Sequence, residues 1–391
     1  MYMILYGFER TLRGLSRQEL EINTYKQQTS KKQVAAPRSR RSSDDDNVYE
    51  PVPMTPNPRA AEPTPAKMAE YGWSLSDETL KKARLELNEN PDTRCELIDA
   101  VREQMDTRPD IDFLRTDDAF LVRFLRARKF DAFETFKLYA RYFEYRQTNR
   151  NLFRKFHASE PGIKSALFDG FPGVLPQTDH YGRKILILYA AHWDNCHYGL
   201  AAIYRAILLT LEKLIEDEET QVNGFVIIVD WSGFTFKQST WIHPRLLKLM
   251  IEGLQDCFPA RFAGIHFVNQ PWYVEAAFKV VRPFLKDRTK EKFLFHGNNL
   301  TTLHSSLHRD MLPAELGGSA PPYNTESWAK ELVGDETFSY GENHIYWPDH
   351  SAQFRKSETF PIDSYTSESC SKPTVEEKRT VQLDEEFFLM D

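Results

Sequence analysis

The chain has 391 residues, with 50 Lys and Arg, 57 Asp and Glu and a formal net charge of −7, enough for more than one domain and a sizeable core. Charge is uneven: residues 1–67 carry 11 Lys and Arg against 8 Asp and Glu, and residues 319–391 carry 6 against 15. The balance excludes the broad basic excess of a nucleic-acid binder, and no apolar run approaches the ~20 residues of a membrane-spanning helix.

The opening MYMILYGF is too short for a secretory signal and meets Glu9 and Arg10 without a cleavage site. Residues 1–67, with QQTSKKQ, APRSRRSSDDD and PVPMTPNPRAAEPTPA, are too polar and proline-rich to build a core and are predicted to be a disordered extension. Ser42 and Ser43 beside Arg40 and Arg41 are candidate phosphosites. A helical lobe is expected over 68–150. Thr93-x-x-Glu96 and Asp131-x-x-Glu134 fit the capping pattern, and Thr116-Asp117-Asp118 puts carboxylates ahead of AFLVRFLRARKF, where a helix dipole favours them.

From Lys184 the rhythm changes. KILILYAA, GFVIIVD, GIHFV and KFLFHG read as strands, separated by helical YRAILLTLEKLIED, HPRLLKLMIEGLQDCF and the segment after Pro271. Short β-rich runs alternating with longer helices predict an α/β domain over 151–320, a largely parallel sheet covered by helices. The remainder, 321–391, reads as an acidic, mostly disordered tail, although Trp328 and Tyr346-Trp347 suggest that its first part packs on the core.

Pro271–Lys286 is unusual among the helices. Its charged residues Glu275, Lys279, Arg282 and Lys286 recur at spacings of four, three and four, one narrow stripe. Nearly everything else is apolar, and Arg288, Lys290 and Lys292 follow at the exit. Such a helix suits a lid that touches membrane, with Pro271 apt for a first turn and Pro283 weakening the last.

Motifs for enzymatic chemistry are missing. GxxxxGK[ST], GxGxxG and GxSxG do not occur, so Asp230 at the end of VIIVD lacks a phosphate-cradling partner. His192, Cys196 and His197 have no common zinc spacing and no second ligand pair, and Asp194 and Asp230 read as strand-end caps. The reading is a non-enzymatic protein with no cofactor and no metal. Four scattered cysteines, Cys95, Cys196, Cys257 and Cys370, predict reduced thiols in a cytoplasmic protein.

In order, DDAFLVRFLRARKFD, DGFPG, NGFVIIVDWSGFTF, EGLQDCFPARFAGIHFVNQPW, RPFLKDRTKEK, FHGNN and LPAELGG resemble a Sec14-like CRAL-TRIO protein over roughly 75–330. LELNENPDTR, TRPDIDFLRTDDAF, FEYRQTN and WIHPRLLKLMIEGLQDCFPARF are similar to the clavesin branch. The resemblance implies a hydrophobic lipid held between sheet and helices under a mobile gate. Here the gate matches Pro271–Lys286, with Trp272, Phe278, Val281 and Phe284 as its apolar face. It also implies a basic cleft for phosphoinositide headgroups at Arg128, Arg261, Arg288, Lys290 and Lys292, with Ala263 in place of one further arginine. Ile207 and Leu211 stand where the family's tocopherol carrier places serines against its ligand, which disfavours tocopherol itself. The clavesin likeness implies a preference for phosphatidylinositol 3,5-bisphosphate and work on endosomal and trans-Golgi membranes in endosome and lysosome organisation. It further implies a link to clathrin, for which Phe387, Phe388, Met390 and Asp391 approximate a clathrin box. A carrier of a retinoid- or tocopherol-like ligand and a clathrin-linked adaptor without transport activity stay open as alternatives.

Overall fold

The computed structural model describes residues 74–335. The first helices are α1 (Asp77–Leu87), α2 (Arg94–Glu103), α3 (Asp118–Ala127) and α4 (Ala132–Thr148). Their caps follow the sequence in part. Asp117 accepts the Phe120 amide at 3.0 Å and Asp131 that of Glu134 at 2.9 Å. Thr93, expected to cap α2, makes no such bond, because its backbone (φ −107°, ψ 0°) is already turned away from the extended form a cap needs. The spacing of aromatics in α3 and α4 brings Phe120, Phe124, Tyr139, Tyr142 and Phe143 edge to face, with centroids 5.1–5.3 Å apart for most neighbouring pairs.

The helical lobe is docked by charge as well as by apolar contact. Arg126 is fully buried and donates to both oxygens of Glu89 at 2.9 Å, to Glu218 at 2.9 Å and to Gln221 at 2.7 Å. Arg94 pairs with the same Glu89 at 2.8 Å. Two arginines and two glutamates thus neutralise one another where α1, α3 and α7 (Glu218–Asn223) meet, the condition under which buried charge is tolerated.

After α5 (Pro161–Phe168), a five-stranded sheet runs in the order β1 (Gly173–Val174), β2 (Lys184–Tyr189), β3 (Phe225–Asp230), β4 (Phe262–Val268), β5 (Phe293–Phe295). β2 to β5 are parallel; β1 is antiparallel on the edge and, at two residues, too short for the sequence pattern to reveal. The crossovers contain α6 (Leu200–Leu214) with α7, α8 (Pro244–Glu252), and α9 (Trp272–Val281). α10 (Leu300–Ser306) supplies Leu303 to the second core, and α11 (Thr325–Gly334) packs Trp328 inside, its indole N–H on Thr210 Oγ1 at 3.0 Å.

Cys95 and Cys257 are free thiols, but Cys196 is disulfide-bonded, which corrects the expectation of reduced thiols throughout. It lies exposed in a turn.

Candidate functional site

Alternation along the strands gives the sheet two unlike faces. On one, Ile185, Ile187, Val226, Ile228 and Val268 are completely buried against Leu303, Leu307, Leu312 and Leu316. On the other, Ile227, Val229, Ile265 and Phe267 lie side by side in register, in the middle of the sheet, yet are only half-buried. Helix α8 packs into the same layer through Leu246, Leu249 and Met250, and not one of its residues is fully buried. Close-packed interiors do not leave central-strand side chains accessible. The layer between this face and the helices therefore leaves apolar side chains accessible to one another's space, the character of a lipid pocket.

α9 flanks that space and passes into a 3-10 turn, Arg282–Phe284. The stripe Glu275, Lys279, Arg282 and Lys286 is exposed, and Val274, Val281 and Leu285 point inward. Phe278 sits on the sheet's edge, 4.7 Å from Phe293, 4.9 Å from Phe295 and 6.5 Å from Phe267 between ring centroids. Phe284 is half-buried in the 3-10 turn. Trp272 does not share their face. Nine residues are two and a half turns, so it stands opposite Val281, 58% exposed, touching the Tyr273 ring at 5.8 Å. Of the pair Ile207 and Leu211, Leu211 has no accessible surface and Ile207 almost none, and both belong to the core cluster that includes Ile227 and Phe267.

Beside the C-terminal end of α9 the basic residues converge from distant parts of the chain. Arg128 is the C-cap of α3, Arg261 precedes β4, Lys292 precedes β5, and Arg288 lies in the turn Asp287–Lys290. Burial pulls the Arg128 pKa down; nearby Glu134 and Asp256 oppose that, and the like charges of Arg141 and Arg288 reinforce it. Lys292 is pulled down by burial and then by Arg261 and Arg288. Four of the five expected cations therefore feel one another. Lys290 is committed to Asp287 at 2.8 Å, and Arg261 to the Val222 carbonyl and, at 3.2 Å, to Glu86. Among the described residues Arg141, Arg288 and Lys292 form no ion pair. Clustered cations without counter-ions hold an electrostatic strain that an anion relieves.

Sequence reasoning missed two participants. Arg141 projects from the exposed side of α4, and nothing local to AFETFKLYARYF marks it out. Asp256 lies in a π-helical turn, Gly253–Cys257, that extends α8; it pairs with Lys286 just beyond the 3-10 turn that follows α9. His192 and His197 bond the Asp169 carbonyl and Asp194, at 3.0 and 2.9 Å. Asp230 caps Ser232 at 2.9 Å. Phe387, Phe388, Met390 and Asp391 lie outside the described residues. Among those described, no helix is long and apolar enough to cross a membrane.

An α/β sheet with an accessible apolar layer, a helical lobe in front and a gate-like helix at the side defines a lipid-binding domain. Residues 168–318 match the CRAL/TRIO domain and residues 66–140 the CRAL/TRIO, N-terminal domain. Clavesin-2 of Homo sapiens is 56% identical over 301 residues, 77% of this chain and 92% of that relative. Clavesin-1 of Rattus norvegicus is 54% identical over 299 residues, 76% and 84% of the two chains. A solved structure, the crystal structure of Sfh5, aligns at a TM-score of 0.42 with 14% identity, covering 65% of this chain and 91% of that one. The chain belongs to the CRAL/TRIO family of lipid-binding proteins and, within it, to the clavesins.

Proposed function

We propose that the protein binds phosphoinositide headgroups at membrane surfaces through its basic face while sheltering a hydrophobic lipid in the apolar layer. The observation that carries this reading is the meeting of Arg128, Arg288 and Lys292, drawn from three separate elements, with no counter-ion for Arg288 or Lys292 among the described residues. Arginine's planar fork gives paired, charge-assisted bonds to phosphate oxygens, and lysine adds a mobile point charge. Trp272, exposed at the start of α9 against Tyr273, whose ring also meets Phe236, supplies an amphipathic contact for the interface. By likeness to the clavesins, the preferred lipid is phosphatidylinositol 3,5-bisphosphate, and the setting is the cytoplasmic surface of endosomal and trans-Golgi membranes, in endosome and lysosome organisation. The protein transfers or presents its lipid without chemical change.

Vesicle flotation across phosphoinositide isomers, comparing wild type with Arg288→Ala plus Lys292→Ala, tests the reading. Losing two charged contacts worth about 1.5–3 kcal/mol each should reduce binding at least tenfold. Equal binding to all anionic vesicles, or no effect of the double substitution, refutes it. Deleting the last nine residues separates the clathrin-adaptor alternative: an adaptor loses clathrin capture, whereas lipid transfer between vesicles persists in a carrier.

A further inference from the structure

The buried indoles of this protein are not treated alike. Trp193 donates its ring N–H to the Tyr198 carbonyl at 3.1 Å, and Trp328 donates to Thr210 Oγ1 at 3.0 Å. Trp231 differs. Its ring nitrogen is shielded from solvent and meets no acceptor among the described residues. A buried N–H without a partner is costly, and tryptophan nitrogens in protein interiors nearly always find one.

Trp231 is the residue after β3, and its amide still extends the ladder, donating to the Val268 carbonyl at 3.0 Å. Alternation therefore puts its side chain on the face of Ile227 and Val229, toward the apolar layer. The ring meets Phe234 at 4.9 Å and Phe267 at 5.3 Å between centroids. Polar groups around it are already engaged. Tyr273 of α9 donates to the Phe234 carbonyl, and Asp230 Oδ1 accepts from the Ser232 amide at 2.9 Å and from Asn269 at 3.0 Å. The Trp231 N–H is thus a donor set in an apolar wall, with its neighbours' acceptors spent elsewhere.

This donor lies at the carboxyl end of the parallel strands, where open α/β sheets bind their ligands. The expected cations gather at the opposite end. Arg261 accepts the Phe225 amide through its carbonyl at 2.8 Å, beside the start of β3, and Lys292 precedes β5. The six residues of β3 separate the two ends, about 20 Å at the rise of an extended strand. The ester carbonyls of a phosphoinositide stay beside its glycerol, so a lipid whose headgroup sits among those cations does not bring them to Trp231.

We propose that Trp231 Nε1 is the polar anchor of the sheltered lipid, and that this lipid is an apolar molecule bearing a carbonyl oxygen at the end that enters first. The inference rests on the reading that the layer shelters a hydrophobic lipid, and it adds the chemistry by which that lipid is chosen. An indole N–H donates and does not accept, so its complement is a bare acceptor. A ketone, aldehyde or ester oxygen meets that need without a second hydrogen to satisfy. A hydroxyl brings such a hydrogen into the apolar wall, and a carboxylate brings a charge. A hydrocarbon leaves the donor unpaired, and a site holding a buried polar group rejects the analogue that fails to pair it.

The test uses the full chain freed of lipid and three probes: methyl pentadecyl ketone, heptadecane, and vesicles carrying a phosphatidylinositol bisphosphate. With tryptophan labelled in heavy nitrogen, each of the seven indoles gives one N–H resonance, and the one lost in Trp231→Phe belongs to Trp231. The ketone should move that resonance downfield, the mark of a new hydrogen bond, whereas heptadecane and the vesicles should not. The ratio of ketone to heptadecane affinity should also fall by about tenfold in Trp231→Phe, the equivalent of one hydrogen bond. Lost ring area weakens both probes alike, so the ratio isolates the donor. An unmoved resonance with ketone bound, an equal shift with heptadecane, or an unchanged ratio in folded Trp231→Phe overturns the proposal. A shift caused by the phosphoinositide vesicles overturns the assignment to a separate lipid. If Trp231→Phe does not fold, a diazirine beside the ketone decides in the wild type. Irradiation and peptide mass spectrometry should then find the label close to Trp231, Phe234 or Phe267, and a label on the peptides of Arg261 or Lys292 refutes the anchor. A wild-type protein that takes up neither ketone nor hydrocarbon sinks the reading of a sheltered lipid instead, which keeps the two failures apart.

Discussion

Gly253 gives the sharpest quantitative test of how the π-helical turn is held. Replacing it by Ala would put a Cβ 1.8 Å from the Tyr204 hydroxyl and 2.8 Å from that of Tyr145, where ordinary contact begins at 3.4 Å. Something must therefore move by about 1.6 Å. Both rings are buried and hydrogen-bonded to each other at 2.9 Å, and Tyr145 also donates to the Leu249 carbonyl at 2.9 Å. Overpacking of this kind costs about 1–3 kcal/mol, and a buried hydrogen bond broken in the process about 1–3 more. The expected loss for Gly253→Ala is then about 2–6 kcal/mol. Tyr204→Phe alone removes one hydrogen bond and should cost about 1 kcal/mol. Because it also removes the oxygen in the way, the double variant should be more stable than the sum of the two losses predicts, by about 1–3 kcal/mol. Urea unfolding followed by far-UV circular dichroism on all four proteins gives the cycle. Additivity within about 0.5 kcal/mol would show that the clash does not arise at the Tyr204 hydroxyl, and the account of how the turn is held would fall with it.

Stability should also depend on acid through His266, stacked on His296 with their ring nitrogens 2.9 Å apart. Burial first, then His296 and Arg183, lower the His266 pKa to about 4. Its unfolded value is about 6.5, so the stabilisation is complete above that pH and drains away as pH falls toward 4, by about 2 kcal/mol at pH 5. Flattening of that loss in His266→Gln, read by thermal or urea melts at several pH values, is the expected result; an unaltered profile refutes it. Glu89→Ala leaves Arg126 and Arg94 buried without their shared partner and should destabilise the domain by about 3–5 kcal/mol in urea unfolding. A loss below about 1 kcal/mol would mean that water reaches the network. Trp272→Ser should leave the melting temperature unchanged, since the ring is mostly exposed, yet weaken vesicle binding by about 1–2 kcal/mol; equal binding would remove Trp272 from the membrane contact.

Much of the architecture was legible in the order of residues, because period-two and period-3.6 patterns are local consequences of backbone geometry. The four parallel strands, the helical lobe, the exposed stripe Glu275, Lys279, Arg282 and the inward Val281 all follow from spacing. Spacing alone could not assign Trp272, which reads as apolar surface and yet lies on the charged side of α9. Nor could it separate Leu211, sealed in the core, from Ile227 and Phe267, which have the same composition but face accessible space. Packing decides between those fates, and packing depends on side chains far away in the chain. Electrostatics carries this furthest. Arg128, Arg141, Asp256, Lys286, Arg288 and Lys292 become one field only when α3, α4, the π-helical turn and the segment after α9 are folded side by side. Charge acts through distance in space, and the sequence records only distance along the chain.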